Sequence, residues 1–202
     1  MYKKLIAFAA VLAVVALTTG CAKPPQNEID AAKAALSVAE GAQAARYAPG
    51  EWEAATQAIN QVNAEVEAQA QKFALFRSYK KAQELAAAAA QAATAANEAA
   101  IAGKARAKNE AETAIEDAKA AIASAEELFA ELGKCRRQPK DFKKDMEGMR
   151  GNLDGLVAQG AALESAFAGE DYFGAKAQAE SLKGQLDMLV TDMQGAKEKI
   201  KC

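Results

Sequence analysis

The sequence contains no histidine. That removes the commonest general base and the commonest metal ligand. Prolines number four, aromatic residues make up 6%, and runs of β-branched residues are almost missing. Those scarcities argue against a sheet. Large apolar residues are also few. The chain is 51% hydrophobic, but roughly a quarter of its residues are alanine, far above ordinary usage. The expected core is thin, as in helical hairpins and coiled coils. The net charge is −2 and both signs are interspersed along the chain. Such patterning marks solvated helix faces, and no basic stripe points to nucleic acid.

What is abundant is helix-forming sequence. The stretch from Tyr79 to Leu132 has no proline and one glycine, Gly103. Alanine favours helix because it loses no side-chain entropy on folding. One helix over this stretch would be on the order of 80 Å long. Small residues recur at Ala82, Ala86, Ala89, Ala93, Ala96 and Ala100, and larger ones at Ile115, Ala118, Ile122, Ala125, Phe129 and Leu132. Both sets alternate steps of four and three, a heptad seam. The first accepts only a closely approaching helix, and the second accepts an ordinary core. The stretch reads as a spine for the remaining helices.

Residues 1–20 have the parts of an export signal. Lys3 and Lys4 precede an apolar run from Leu5 to Leu17 that is short for a membrane span. Thr18-Thr19-Gly20-Cys21 then resembles the lipobox of bacterial lipoproteins, in which a cysteine after a small residue is lipidated and becomes the first residue of the mature chain. The pattern departs from the usual one in placing Leu17 four residues before the cysteine. An ordinary signal peptide cut elsewhere, or an uncleaved anchor, is the alternative. The resemblance implies lipid on Cys21, and Ala22 in place of aspartate implies the outer membrane, facing the periplasm. Residues 21–27 are then the lipidated cysteine and a short tether, with Asn27 as a candidate helix cap.

The remainder reads as an all-α chain of antiparallel hairpins, two tandem three-helix units at 28–104 and 105–202. Three matches recur in order. Ala32-Lys33-Ala34-Ala35-Leu36 answers to Ala118-Lys119-Ala120-Ala121-Ile122, Pro49-Gly50-Glu51-Trp52 to Pro139-Lys140-Asp141-Phe142, and Tyr79-Lys80-Lys81-Ala82 to Tyr172-Phe173-Gly174-Ala175. An ordered repeat of this kind means one supersecondary unit used twice. The pattern predicts helices over 28–45, 50–76 and from 79 in the first unit, and up to 133, over 139–168 and over 171–201 in the second. Whether the third and fourth are continuous is left open. Pro49 and Pro139 suit the first turn of a helix. The seam of the second helix runs Trp52, Ala55, Ile59, Val62, Val66, Gln69, Phe73 and Phe76, which assigns both phenylalanines to the core.

An N-terminal lipobox, an alanine-rich helix, Tyr47-Ala48-Pro49-x-x-Trp52-x-x-Ala55 and a later Tyr79-x-x-Ala82 resemble an uncharacterised domain-of-unknown-function family of alanine-rich bacterial envelope lipoproteins. The resemblance covers residues 28 to about 105 and reaches the C-terminal half through the internal repeat. It implies a helical fold faintly like tetratricopeptide repeats, and it carries over no catalytic residue.

No catalytic, cofactor or metal site is expected. Glu126-Glu127 and Glu170-Asp171 read as solvated charge, since acid–base work needs a cleft that shifts their pKa. Gly148, Gly151, Gly155 and Gly160 form no phosphate loop and read as places of close helix approach or flexibility. Cys135, beside Arg136 and Arg137, is either a thiol activated by its cations or a disulfide partner. With Cys21 lipidated, export to an oxidising compartment favours a bond between Cys135 and Cys202, within one chain or between two. The expected function is that of a non-enzymatic envelope lipoprotein that binds or spaces protein partners, with the membrane as partner through its anchor and no nucleic acid. The alternative is a periplasmic carrier or chaperone-like protein holding an apolar ligand between helices.

Overall fold

The structure, a computed structural model, describes residues 23–136 and 139–202. Among these it has six α-helices, one 3-10 turn and no strand. The helices are α1 Gln26–Gly41, α2 Ala44–Tyr47, α3 Pro49–Ala70, α4 Lys80–Gly133, α5 Lys140–Ala168 and α6 Tyr172–Ile200, with the 3-10 turn at Ala74–Phe76. The fold is all-α. The chain divides into two compact units, the first ending at Gly103 and the second running Lys104–Cys202. Helix α4 is unbroken over 54 residues and supplies a helix to each.

In the first unit, Ile29 and Ala32 of α1, Ile59 and Val62 of α3, and Ala86 and Ala89 of α4 form the core, with Leu36, Val66 and Leu85 packed around them. Every seam alanine from Ala82 to Ala100 is buried. Alanine on one side of a contact lets the partner backbone come close, and α2 uses this. The sequence predicts one helix over 28–45, but Gln43 enters the left-handed region at φ 60° and breaks it. The single turn of α2 then lies against α4 so closely that a Cβ on Gly103 would overlap the Tyr47 carbonyl oxygen and come within 3.0 Å of its carbon. Gly103 is therefore the one place in the spine where a side chain is not tolerated.

The helix predicted over 50–76 is shorter than its pattern. It ends at Ala70, and Phe73 and Phe76 stand outside the core, 69% and 75% exposed. The break before α4 spans Gln71 to Tyr79 rather than residues 77–78 alone.

In the second unit, α5 and α6 form a hairpin. The left-handed residue of its turn is Glu170, φ 60°, whereas Gly169 keeps φ −75°. Asp171 N–H donates to Ala166 O and Glu170 N–H to Phe167 O, a Schellman-type ending. Asp171 caps α6 by accepting from Gly174 N–H, and Phe167 packs on Tyr172 at 5.2 Å between centroids. Leu153, Leu156 and Leu163 of α5 and Leu182, Leu186, Leu189 and Met193 of α6 are buried. Of the four glycines of α5, only Gly160 marks close approach: a Cβ there would lie 2.8 Å from Ile122 Cδ1 and 3.8 Å from Leu182 Cδ2. At Gly148, Gly151 and Gly155 it would meet nothing within 4 Å.

Three charge pairs tie α6 and the residue at the turn before it to α4. Lys104–Glu170, Glu110–Lys176 and Glu131–Lys197 are each 66 residues apart, at 2.6, 2.8 and 2.7 Å. A constant separation means the two helices run parallel. Lys119–Glu164, at 2.6 Å, ties the intervening antiparallel α5 to α4.

Burial follows the sequence repeat. Residues 31–40 and 117–126 show the same succession of buried, half-buried and exposed positions. Ala82, Ala86, Ala89, Ala93, Ala96 and Ala100 of α4 are buried as Ala175, Ala179, Leu182, Leu186, Leu189 and Met193 of α6 are.

Candidate functional site

The chain between α3 and α4 carries the most conspicuous surface feature. Phe73, Leu75 and Phe76 are exposed together, Leu75 at 83%. Three large apolar side chains left in water each forgo roughly 1.5–3 kcal/mol of burial. Single exposed apolar residues are ordinary, whereas a cluster on one short loop marks an interaction surface.

The loop is built rather than loose. Arg77 folds back on the end of α3, its Nε donating to Lys72 O at 2.9 Å and its Nη2 to Ala70 O at 2.8 Å. Those carbonyls would otherwise be left open at a helix C-terminus. Gln69 is the one buried polar side chain among the described residues. Its Oε1 accepts from Ser78 N–H at 3.1 Å, and its Nε2 donates to Glu65 at 2.8 Å. Glu65 also pairs with Lys81 at 3.0 Å. The Gln69 hydrogen bond and the Lys81 charge hold the Glu65 carboxyl below its ordinary range. Phe76 N–H donates to Phe73 O at 2.9 Å, closing the 3-10 turn, and the two rings lie 6.4 Å apart. A polar frame on the inner side thus presents three apolar side chains outward.

The loop lies at the end of the first unit where α1 begins. Gln83, in the first turn of α4, donates to Glu28 in the first turn of α1 at 2.7 Å. The chain toward Cys21 leaves from this same end. Cys21 itself lies outside the described residues.

The structure joins Cys135 and Cys202 in a disulfide with Cα atoms 5.6 Å apart. Cys135 is buried just past the end of α4, and its N–H donates to Leu132 O. The bond prolongs the parallel register of α4 and α6, so it fastens their C-terminal ends together as well as closing the open end of the α5–α6 hairpin. As a bonded cysteine, Cys135 is not the activated thiol that its arginine neighbours allow.

Of the two carboxylate pairs, one holds structure. Glu170 pairs with Lys104 and Asp171 caps α6, while Glu126 and Glu127 are exposed. Lysine partners hold Glu110, Glu131, Glu164 and Glu170 below the ordinary carboxylate range, chiefly by hydrogen bonding. Among the described residues no three His, Cys, Asp or Glu side chains gather as a metal site would require. No described helix is long and apolar enough to cross a membrane.

No family model, curated protein or solved structure matches the chain.

Sequence reasoning missed the loop because Phe73 and Phe76 continue the three–four spacing of Val66 and Gln69. A signal was nevertheless present. Gln69 occupies a seam position where an apolar residue is expected, and a lone polar group in a core needs a partner. Its partner is Ser78, on the loop.

Proposed function

We propose that the protein is a bacterial envelope lipoprotein, held by lipid on Cys21, that works without catalysis as a helical module binding or spacing protein partners. One observation carries this reading: the apolar run Leu5–Leu17 is followed by Thr18-Thr19-Gly20-Cys21, and the first helix starts at Gln26. The resemblance to alanine-rich envelope lipoproteins supports it. So do the exposed lysine–glutamate pairs of the second unit, which link its packed elements. Ala22 after the cysteine favours the outer membrane, with both units in the periplasm.

Two measurements test the reading. Cys21→Ser should abolish the membrane-bound mature form, and a variant that still fractionates with membranes at the wild-type size refutes lipidation. Crosslinking in intact cells should capture envelope proteins. A second reading, a carrier of an apolar ligand, draws on an open groove between α5 and α6 lined by Leu156, Met188 and Leu189 beside Gly151 and Gly155. Lipid recovered in stoichiometric amount with the second unit, and lost on Met188→Glu, would favour it.

A further inference from the structure

We propose that the Phe73–Phe76 loop inserts into the bilayer surface to which Cys21 is anchored, so that the first unit touches the membrane at two points. The inference rests on the anchoring reading and adds to it a second contact.

Position is the first argument. The loop and the start of α1 share one end of the first unit, as the Glu28–Gln83 hydrogen bond requires. Four residues separate Cys21 from Gln26, and the five Cα steps between them reach at most roughly 20 Å when fully extended. An anchor on Cys21 therefore holds this end, and not the α1–α3 connection, at the lipid surface.

Chemistry is the second. Two aromatic rings and a leucine with exposed faces suit the boundary between headgroups and acyl chains, where apolar side chains bury by about 5–10 Å. From Gln71 to Gln83 the chain carries Lys72, Arg77 and Lys80, beside Lys81, whose charge Glu65 offsets, and no carboxylate. That is the charge an anionic headgroup layer attracts. The carboxylates of Glu28 and Glu65 at this end accept from Gln83, and from Gln69 and Lys81.

Rigidity is the third. The Arg77 and Gln69 hydrogen bonds fix the loop in its outward form before any contact is made. Little ordering entropy is then lost on insertion. Anchoring by acyl chains is strengthened by a second membrane signal, and this loop supplies one.

The experiment uses the full-length protein, purified with its lipid and carrying Trp52→Phe and Leu75→Trp. Phenylalanine already occupies the position equivalent to Trp52 in the second unit, at Phe142, and Leu75 makes no core contact to lose. The protein is reconstituted into phosphatidylethanolamine–phosphatidylglycerol vesicles whose acyl chains are brominated near the headgroups. The new indole should shift its emission to the blue and lose most of its intensity relative to vesicles without bromine. Adding Phe73→Ser and Phe76→Ser should restore most of that intensity. Emission that stays at the wavelength of an indole in water, untouched by bromine, overturns the proposal, and shielding of the same indole in native envelopes would then assign the loop to a protein partner. Mass spectrometry of the mature N-terminus on the same samples separates the two readings. Acylated Cys21 with an unquenched indole removes the loop contact and leaves the anchor. Unmodified Cys21 with a quenched indole removes the anchor and leaves the loop contact.

Discussion

The two units put one seam to two uses. Along α4 the first unit buries Ala89, Ala93, Ala96 and Ala100 where the second, along α6, buries Leu182, Leu186, Leu189 and Met193. The alternation of fours and threes is shared, but the side-chain volume differs. A seam of alanines gains little from area removed from water and depends on close backbone approach. Its weak point is steric, at Gly103 beneath Tyr47. A seam of leucines gains from volume, keeps its helices farther apart, and suffers when volume is removed. The second unit also carries the disulfide, three lysine–glutamate pairs between helices and a fourth from α4 to the α5–α6 turn. The same helix pattern therefore does not imply the same source of stability.

The largest expected effect is on the disulfide. Replacing Cys135 and Cys202 by serine should lower the stability of the second unit by about 4 kcal/mol, the chain-entropy value for a loop of this size. Amide exchange in α5 and α6 should accelerate, while the fluorescence of Trp52, the single tryptophan, reports an unchanged first unit. Equal loss in both units would break the comparison. Protein drawn from the periplasm should show one intramolecular bond by non-reducing electrophoresis and no free Cys135 or Cys202 thiol.

Next come the paired seam substitutions. Leu186→Ala should cost roughly 3 kcal/mol through the cavity it leaves. At the equivalent place in the first unit the damaging change is the reverse. Ala93→Leu should cost about 1–3 kcal/mol by overpacking. Urea unfolding followed by amide exchange in each unit reads both. If Ala93→Leu is neutral, the alanine seam is not closely packed.

Much of this was legible in the sequence. The seams and the ordered repeat depend on local spacing, which the chain displays openly, whereas the continuity of α4 across both units, left open by the sequence, is seen only in the structure. The end of α3 was not legible, because Phe73 and Phe76 keep the seam spacing beyond the point where Arg77 caps the carbonyls of Ala70 and Lys72. Pattern reports what a helix would bury, and the chain's actual turn is decided by hydrogen bonds it makes elsewhere. The turn at Gln43 escaped for a related reason: no glycine announces its left-handed backbone. Glu170 similarly takes the left-handed position beside an available glycine.

The glycines sharpen the contrast at smaller amplitude. Gly103→Ala should destabilise the first unit by about 1–3 kcal/mol despite alanine's better helix propensity, because backbone opposes it. Gly160→Ala meets only the flexible end of Ile122 and should be close to neutral. Gly151→Ala meets nothing and should stabilise α5 by up to about 1 kcal/mol. Thermal unfolding of the three variants should rank them in that order.

The smallest effect is that of acid. Glu110, Glu131 and Glu164 are depressed by Lys176, Lys197 and Lys119 in the folded chain. A depressed carboxyl contributes stability above its unfolded pKa and loses it as pH falls through the folded value. Acidification from neutrality through and below the ordinary carboxylate range should thus lower the melting temperature of the second unit slightly, and less so at high salt because the pairs are exposed. An equal shift at high and low salt would assign the loss to other groups.

The bond between Cys135 and Cys202 also settles how tension travels. A pull between α4 and the C-terminal residue crosses the two sulfurs directly into the end of α4. Helices α5 and α6 hang outside that line of force as a closed lasso. They would stay folded under a load that, with the sulfurs reduced, would peel α6 away from its end.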